Sequence, residues 1–348
     1  MDAPIFLPGM ELNRRFFFEI VQPLLTLNLP SLPYSAGILG AGSEVLGFDT
    51  PMSRDHDWGP RTTIFLPENV PQESINQLEQ TLRASLPETF LGYPVQWQIG
   101  GPSEYRCVEI TDIHTWFQQY LGVAPWGNLQ ATDWLAFPQQ KLRTIACGEV
   151  FHDALELQNA RDALAWYPHD VWLYLLAAGW QRIGQEEHLM GRVGFVGDEL
   201  GSVLIAARLV RDVMRLSFLM ERVYTPYPKW FGTAFSHLTS APLLTPHLSR
   251  TLKVETWQER QQSLAAAYEL LAAHHNTLGL TEPLATHTRL FFDRPFLVLD
   301  AGRFCQALVA RISDPAVKGI ATNGLEGSFD QFSDNTDLLN HTHLWKHI

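Results

Sequence analysis

Two periods of hydrophobic spacing alternate along the first part of the chain. Residues 34–39 form a short apolar run that leads into glycines, and residues 61–66 form a run rich in Thr, Ile and Phe that ends at a proline. Both runs predict strands, whereas residues 72–84 place apolar side chains on one helical face. The same signals predict a helix over residues 12–25, strands over 95–99 and 106–111, and a helix that contains Trp116 and Phe117.

From about residue 134 onward the pattern changes to helices that are apolar around most of their circumference. Asp170 and Asp198 are predicted to cap two of them, and Thr256 with Glu259 predicts a capping box at the start of a third. The sequence therefore predicts an α+β protein with two domains. The first, over residues 1–135, contains a mixed β-sheet with flanking helices, and the second, over residues 136–348, is all-helical.

Composition excludes several classes of function. The chain has 348 residues, of which 46% are hydrophobic and 11% aromatic, so a large folded core is expected. Its formal net charge of −12 argues against general nucleic-acid binding, which needs a basic surface. One bound nucleotide is still compatible with this charge, because metal ions neutralise a triphosphate locally. Three widely spaced cysteines, no secretory signal and no long apolar segment predict a cytoplasmic protein without membrane contact.

The candidate phosphate-binding and metal-binding residues lie around the first two predicted strands. Gly42 and Ser43 follow the first strand, where backbone N–H groups and a hydroxyl can bind phosphate oxygens. Asp55 and Asp57 precede the second strand, and two carboxylates at positions i and i+2 of an extended segment point to the same side. Such a pair can hold one or two Mg²⁺ ions and leave coordination positions open for a triphosphate.

Two-metal phosphoryl chemistry calls for a third carboxylate on a neighbouring strand. Glu109 fits this requirement, because it is a charged residue within a mostly apolar strand. Asp112 is a second choice, although a role as the N-cap of the next helix explains it without catalysis. The alternative interpretation is that Asp55 and Asp57 lie in a polar loop and that Glu109 pairs with an arginine.

The order Gly-Ser, Asp-x-Asp and a later strand carboxylate resembles the minimal nucleotidyltransferase signature of the polymerase-β-like superfamily. The longer strings over residues 42–49, 53–60, 197–202 and 226–230 resemble a bacterial group known only as a domain of unknown function within it. The resemblance implies Asp55, Asp57 and Glu109 as metal ligands and catalytic residues, and Gly42 and Ser43 as phosphate contacts. In one respect the chain departs from the pattern, since residues 58–60 intervene between Asp57 and the strand.

Arginine and lysine side chains in the helical half are weaker candidates for nucleotide binding. The predicted helix over residues 198–224 carries four arginines at helical spacing, Arg208, Arg211, Arg215 and Arg222. They either bind triphosphate oxygens across the cleft or pair with acids such as Asp212 and Glu199. Lys229 is a further candidate for nucleotide binding. Residues 185–187 could bind a cationic acceptor, although a solvated helix end explains them as well.

These observations predict an enzyme that transfers a nucleoside monophosphate from a nucleoside triphosphate to a hydroxyl group with release of pyrophosphate. ATP, which would supply AMP, is the expected triphosphate. Two Mg²⁺ ions are the expected cofactors. The sequence leaves two classes of acceptor open, a small cationic molecule and a protein hydroxyl. The negative charge of the chain disfavours a nucleic-acid end as acceptor. The alternative from another class is a non-catalytic nucleotide-binding or interaction module that keeps the same fold.

Overall fold

The computed structural model describes residues 5–55, 58–95, 107–124 and 127–333, with the backbone but not the side chain of Asp55. Within these ranges, residues 5–128 and 140–165 form one compact unit, and residues 129–139 and 166–333 form the other. The predicted domain division after residue 135 falls inside the short segment 129–139 and stays a prediction.

The first unit contains a mixed four-stranded sheet. The strands of the described chain are β1 (Ser35–Ile38), β2 (Thr62–Phe65), β3 (Thr89–Phe90), β4 (Tyr93–Pro94), β5 (Val108–Thr111), β6 (Glu149–Asp153), β7 (Arg289–Phe291) and β8 (Arg294–Val298). The four-stranded sheet has the order β5-β2-β1-β6, in which β2 and β5 are parallel and the other pairs antiparallel. Its mixed character and the surrounding helices confirm the predicted α+β class.

Helices cover this sheet and form most of the second unit. The second part of the chain is not all-helical as predicted, because β6 joins the four-stranded sheet and β7 pairs with β8 in the second unit. The helices of the first unit are α1 (Gly9–Phe16), a π-helical segment (Phe17–Val21), α2 (Gln22–Asn28), α3 (Gln72–Ser85), α4 (Ile113–Leu121), α6 (Gln139–Ala146) and α7 (Leu157–Ala163). Those of the second unit are α5 (Ala131–Ala136), α8 (His169–Glu186), α9 (Leu189–Phe195), α10 (Glu199–Met220), α11 (Pro228–Ser236), α12 (Ala241–Lys253), α13 (Trp257–Thr277), α14 (Gly302–Val309), α15 (Pro315–Asn323) and α16 (Phe329–Phe332).

The two faces of the sheet have different environments. Ala36 and Ile64 are fully buried and pack with Phe16 of α1 and Leu78 of α3 in one hydrophobic cluster. Alternation along the strands turns the next residue on each strand to the opposite face. Glu109 lies on that opposite face and is exposed. Thr63 and Phe65 on this face are buried, so it is Glu109 of β5 that reaches solvent there.

Three local predictions need correction or refinement. The first helix does not end near Pro23, because this proline occupies the first turn of α2, where its missing N–H costs no hydrogen bond. Asp170 does not cap α8; it lies in the first turn and accepts hydrogen bonds from the backbone N–H groups of Ser313 and Asp314. Thr256 caps α13 as predicted, but its hydroxyl donates to the Glu259 carboxylate, so the capping box is incomplete.

Two helical glycines give a matched test of the packing in the second unit. A Cβ at Gly194 would lie 2.2 Å from Cβ of Trp257, whereas a Cβ at Gly232 would meet nothing within 4 Å. We expect Gly194→Ala to lower the free energy of unfolding by about 1–3 kcal/mol through overpacking. Gly232→Ala should raise it by about 0.5–1 kcal/mol because alanine favours the helix. Denaturant unfolding measures both, and equal effects would contradict the close packing at Gly194.

Candidate functional site

The sheet topology brings two predicted parts of the site to the same end of the sheet. Because β1 and β2 are antiparallel, the end of β1 lies beside the start of β2, where the Thr62 hydroxyl donates to the Gly37 carbonyl over 3.3 Å. Because β2 and β5 are parallel, the start of β5 lies there too, and Thr63 pairs with Glu109. The glycine-rich turn after β1 and Glu109 therefore both lie near the end of the sheet at which β2 begins.

The turn after β1 has a backbone that requires glycine. Gly40 and Gly42 have φ values of +90° and +151°, in a region that favours residues without a Cβ. Ser43 closes the turn, since its carbonyl accepts from the Phe48 N–H at 2.9 Å, and its side chain is partly exposed. No helix begins among residues 42–47, so the predicted phosphate contacts at Gly42 and Ser43 would come from a turn rather than from a helix N-terminus.

The segment that carries the two aspartates is anchored on both sides. Residues Pro51–Asp55 form a 3₁₀ turn, so Asp55 does not lie in the extended segment that the sequence predicted. Beyond the aspartates, the buried Trp58 indole donates to the Asp49 carboxylate at 2.9 Å, and the same oxygen accepts from the Gly9 N–H at 2.7 Å. The side chain of Asp55, together with His56 and Asp57, lies outside the described residues, so both metal-ligand assignments stay predictions.

Strand β2 begins later than the nucleotidyltransferase pattern implies. The first strand residue is Thr62, five positions after Asp57, and Gly59 has a φ of +152° that turns the chain towards it. Trp58 fills the intervening space by stacking with Phe6 at 5.9 Å and meeting Tyr93 edge-on at 5.0 Å. The departure noted in the sequence thus corresponds to a buried aromatic anchor.

Glu109 lies in β5, and its role as a third carboxylate stays a prediction. Its exposed side chain accepts a long hydrogen bond from the Thr63 hydroxyl at 3.4 Å, on the sheet face opposite the core. Asp112 instead accepts from the Thr115 N–H at 2.8 Å and caps α4, which confirms the N-cap role predicted for it. Within the described ranges no group of three or more His, Cys, Asp or Glu side chains could hold a metal ion.

A cleft of about 710 Å³ lies beside Glu109 in the first unit. This volume is within the range of small-molecule sites. Polar side chains line much of the cleft, among them Arg61, Thr63, Gln72, Glu79, Glu109 and Asp112.

Several residues that the sequence analysis missed surround the glycine-rich turn. The connection that follows α6 packs close to the end of β1, since a Cβ at Gly148 would lie 2.5 Å from the Ile38 carbonyl oxygen. From this helix the buried Lys141 ammonium donates to the Tyr120 carbonyl at 2.8 Å and lies 4.7 Å from the centre of the Tyr120 ring. Burial lowers the pKa of Lys141 to about 8.

The arginines of α10 are placed in the second unit. Arg208 is exposed and pairs with Glu186 at 2.6 Å, while Arg211 and Arg215 are partly exposed. The acids proposed as alternative partners pair elsewhere: Asp212 with Arg182 at 3.1 Å, and Glu199 with Arg260 at 2.9 Å. The pairing of Arg208 with an acid agrees with the second interpretation for that residue, and nucleotide contacts of the set stay a prediction.

Lys229 and Arg222 both lie next to tryptophan rings. Lys229 is exposed at the start of α11, with its ammonium 4.9 Å from the centre of the Trp230 ring. Arg222 lies just beyond α10, 4.2 Å from the centre of the Trp172 ring. Stacking on aromatic rings accounts for both cations without a bound nucleotide.

The acids at the end of α8 are not a solvated helix end. Glu187 is buried and accepts from the N–H groups of Leu299 at 2.6 Å and Ala301 at 3.1 Å. Burial raises its pKa to about 7. This carboxylate therefore fixes the connection between β8 and α14, and its position argues against the cationic-acceptor interpretation of residues 185–187.

Comparisons with known proteins assign no activity. The model of the family described as "Domain of unknown function (DUF4037)" matches residues 134–231, from α5 into α11. No curated protein matches the chain. The chain is similar to the crystal structure of a nucleotidyltransferase-like protein from Exiguobacterium sibiricum 255-15, with 11% identity and a TM-score of 0.34, over 75% of this chain and 76% of that chain. None of the helices in the described ranges is both long and apolar enough to span a membrane.

The buried lysine beside the turn predicts a pH dependence of stability. The pKa of Lys141 falls from 10.5 to about 8 on folding, so between these values the unfolded chain binds more protons. Stability contributed through this group therefore rises as pH increases from about 8 to about 10.5. We expect the free energy of unfolding of the wild type, relative to Lys141→Met, to increase over this interval.

Denaturant unfolding at several pH values measures this difference. The matched control is Lys318→Met, which removes an exposed lysine from α15. Its difference from the wild type should stay flat over the same interval. A flat difference for Lys141→Met would contradict the burial of a charged ammonium.

Proposed function

We propose that this protein is a Mg²⁺-dependent nucleotidyltransferase whose active site lies at the edge of the mixed sheet. The observation that carries the proposal is the parallel pairing of β2 with β5. It sets Glu109 beside Thr63, near the end of the sheet at which the glycine-rich turn follows β1. This placement supports a role for Glu109 as the third carboxylate beside Asp55 and Asp57, which precede β2 in the sequence.

Different residues of this site would bind the triphosphate and the metal ions. The backbone N–H groups around Gly42 and the Ser43 hydroxyl would bind triphosphate oxygens. Asp55, Asp57 and Glu109 would supply the hard oxygen ligands that Mg²⁺ prefers. When bound, Mg²⁺ supplies positive charge that offsets the charge developing on the phosphoryl oxygens.

The transfer itself exchanges one phosphorus–oxygen bond for another. The acceptor hydroxyl oxygen forms a bond to the α-phosphorus while the bond between the α-phosphorus and the bridging oxygen breaks, and pyrophosphate leaves. Glu109 would take the proton of the acceptor hydroxyl, because its exposed carboxylate lines the cleft. The acceptor, a small molecule or a protein hydroxyl, would enter through this cleft.

Binding of nucleotides is the first test of this proposal. Calorimetry with ATP, GTP, CTP and UTP in the presence and absence of Mg²⁺ should show metal-dependent binding of at least one of them. The double variant Asp55→Ala/Asp57→Ala should not bind it. Absence of binding to any of the four by the wild type would contradict the proposal, and binding without pyrophosphate release in the presence of candidate acceptors would instead indicate a nucleotide-binding module.

Individual carboxylates can be tested by turnover once an acceptor is found. We expect Asp55→Ala, Asp57→Ala and Glu109→Gln each to lower turnover at least about 100-fold, because each removes charge stabilisation worth several kcal/mol in the transition state. Glu88→Gln, which alters an exposed carboxylate of the same unit, is the matched control and should keep full activity. Loss of activity in Asp112→Asn but not in Glu109→Gln would show that the third carboxylate was wrongly assigned.

A further inference from the structure

A buried carboxylate lies within the glycine-rich turn. Glu44 follows Ser43 directly, yet only 1% of its side chain is exposed. Its Oε1 atom accepts from Nη2 of Arg61 at 2.5 Å and from Nε at 2.9 Å. Its other oxygen has no hydrogen-bond partner within the described part of the chain. A buried charge is costly unless it is paired, so Glu44 depends on Arg61.

Arg61 connects the turn to the start of β2. Its Nη2 atom also donates to the Ala41 carbonyl at 2.6 Å, at the beginning of the turn. Its backbone N–H donates to Oδ1 of the buried Asn13 in α1 at 2.7 Å. Arg61 immediately precedes β2, and the aspartate segment lies just before it in the chain. One side chain therefore joins the turn to the start of β2.

The backbone at two glycines packs closely against this ion pair. A Cβ at Gly42 would lie 2.5 Å from both Nη2 of Arg61 and Oε1 of Glu44. A Cβ at Gly9 would lie 2.5 Å from Cβ of Glu44, so the first residue of α1 packs against the same side chain. The planar guanidinium can hold the carboxylate and the Ala41 carbonyl together, which the single ammonium of a lysine cannot do with the same geometry.

From this arrangement we infer that Glu44 and Arg61 are positioning residues. Their ion pair sets the distance between the backbone N–H groups of the turn and the aspartate segment, and so between the triphosphate and its metal ions. Glu44 is buried and does not line the cleft, so the Glu44→Gln variant tests positioning without removal of a side chain from the cleft. The inference rests on the proposed function, and it assigns a role in nucleotide affinity to two residues outside the Gly-Ser and Asp-x-Asp signature. Such preorganisation lowers the cost of ordering the site when the ligand binds.

A double-mutant cycle tests this role. Calorimetry gives the dissociation constant of MgATP, or of whichever triphosphate the wild type binds, for the wild type, Glu44→Gln, Arg61→Met and the double variant. We expect each single variant to weaken binding about tenfold, the size typical for loss of a charge-assisted hydrogen bond. The double variant should bind no more weakly than the worse single variant, because the two residues act as one unit.

A matched variant separates positioning from simple loss of stability. Arg260 in the second unit is also a buried guanidinium, which donates to Glu199 at 2.9 Å and to the Ser202 hydroxyl at 3.0 Å. We expect Arg260→Met and Arg61→Met both to lower the free energy of unfolding. Only Arg61→Met should change the dissociation constant, measured where every variant is fully folded. Arg61→Lys, which keeps the charge without the fork, should bind more tightly than Arg61→Met and less tightly than the wild type.

The outcomes separate this inference from the function on which it rests. Absence of triphosphate binding by the wild type would contradict the proposed function and this inference with it. Binding by the wild type together with less than about a twofold change in Arg61→Met would contradict the positioning role alone. Additive effects in the double variant, or an equal loss of binding in Arg260→Met, would also show that the pair does not act as inferred.

Discussion

The geometry of the candidate site depends on the contact between the Arg61 guanidinium and the Glu44 carboxylate. Turns rich in glycine have many accessible conformations. The ion pair, at 2.5 Å, and the bond from Arg61 to the Ala41 carbonyl remove much of that freedom. Together with the antiparallel pairing of β1 and β2, these contacts fix the turn relative to the start of β2.

Other hydrogen bonds connect the glycine-rich turn and the start of β2 to helix α1. Asp49 ties the far end of the turn to the first residue of α1 and to the Trp58 indole, while Asn13 of α1 receives the Arg61 N–H. Helix α1 packs its apolar face on the sheet through Phe16. The polar edge is therefore held by the same helix that fills the core, so core packing and site geometry are set together.

Sequence patterns predicted much of this architecture because they report on local forces. Alternating apolar residues indicated β1, β2 and β5 within one or two residues, and the caps at Asp112 and Asp198 follow from side chains that accept hydrogen bonds from nearby N–H groups. The patterns could not show that Glu44 is buried, because its partner is 17 positions away. They also could not assign Glu187 to a distant backbone segment or Arg208 to Glu186, since such pairings arise only from tertiary packing.

Residues 58–60 replace one kind of backbone anchor by another. In the nucleotidyltransferase pattern, a strand follows the aspartates directly, so its ladder of hydrogen bonds anchors the chain there. Here that ladder begins only at Thr62, and a buried indole bonded to Asp49 anchors the chain at Trp58. Between these two anchors, Arg61 adds a directional ion pair to Glu44, which ties the entry into β2 to the glycine-rich turn.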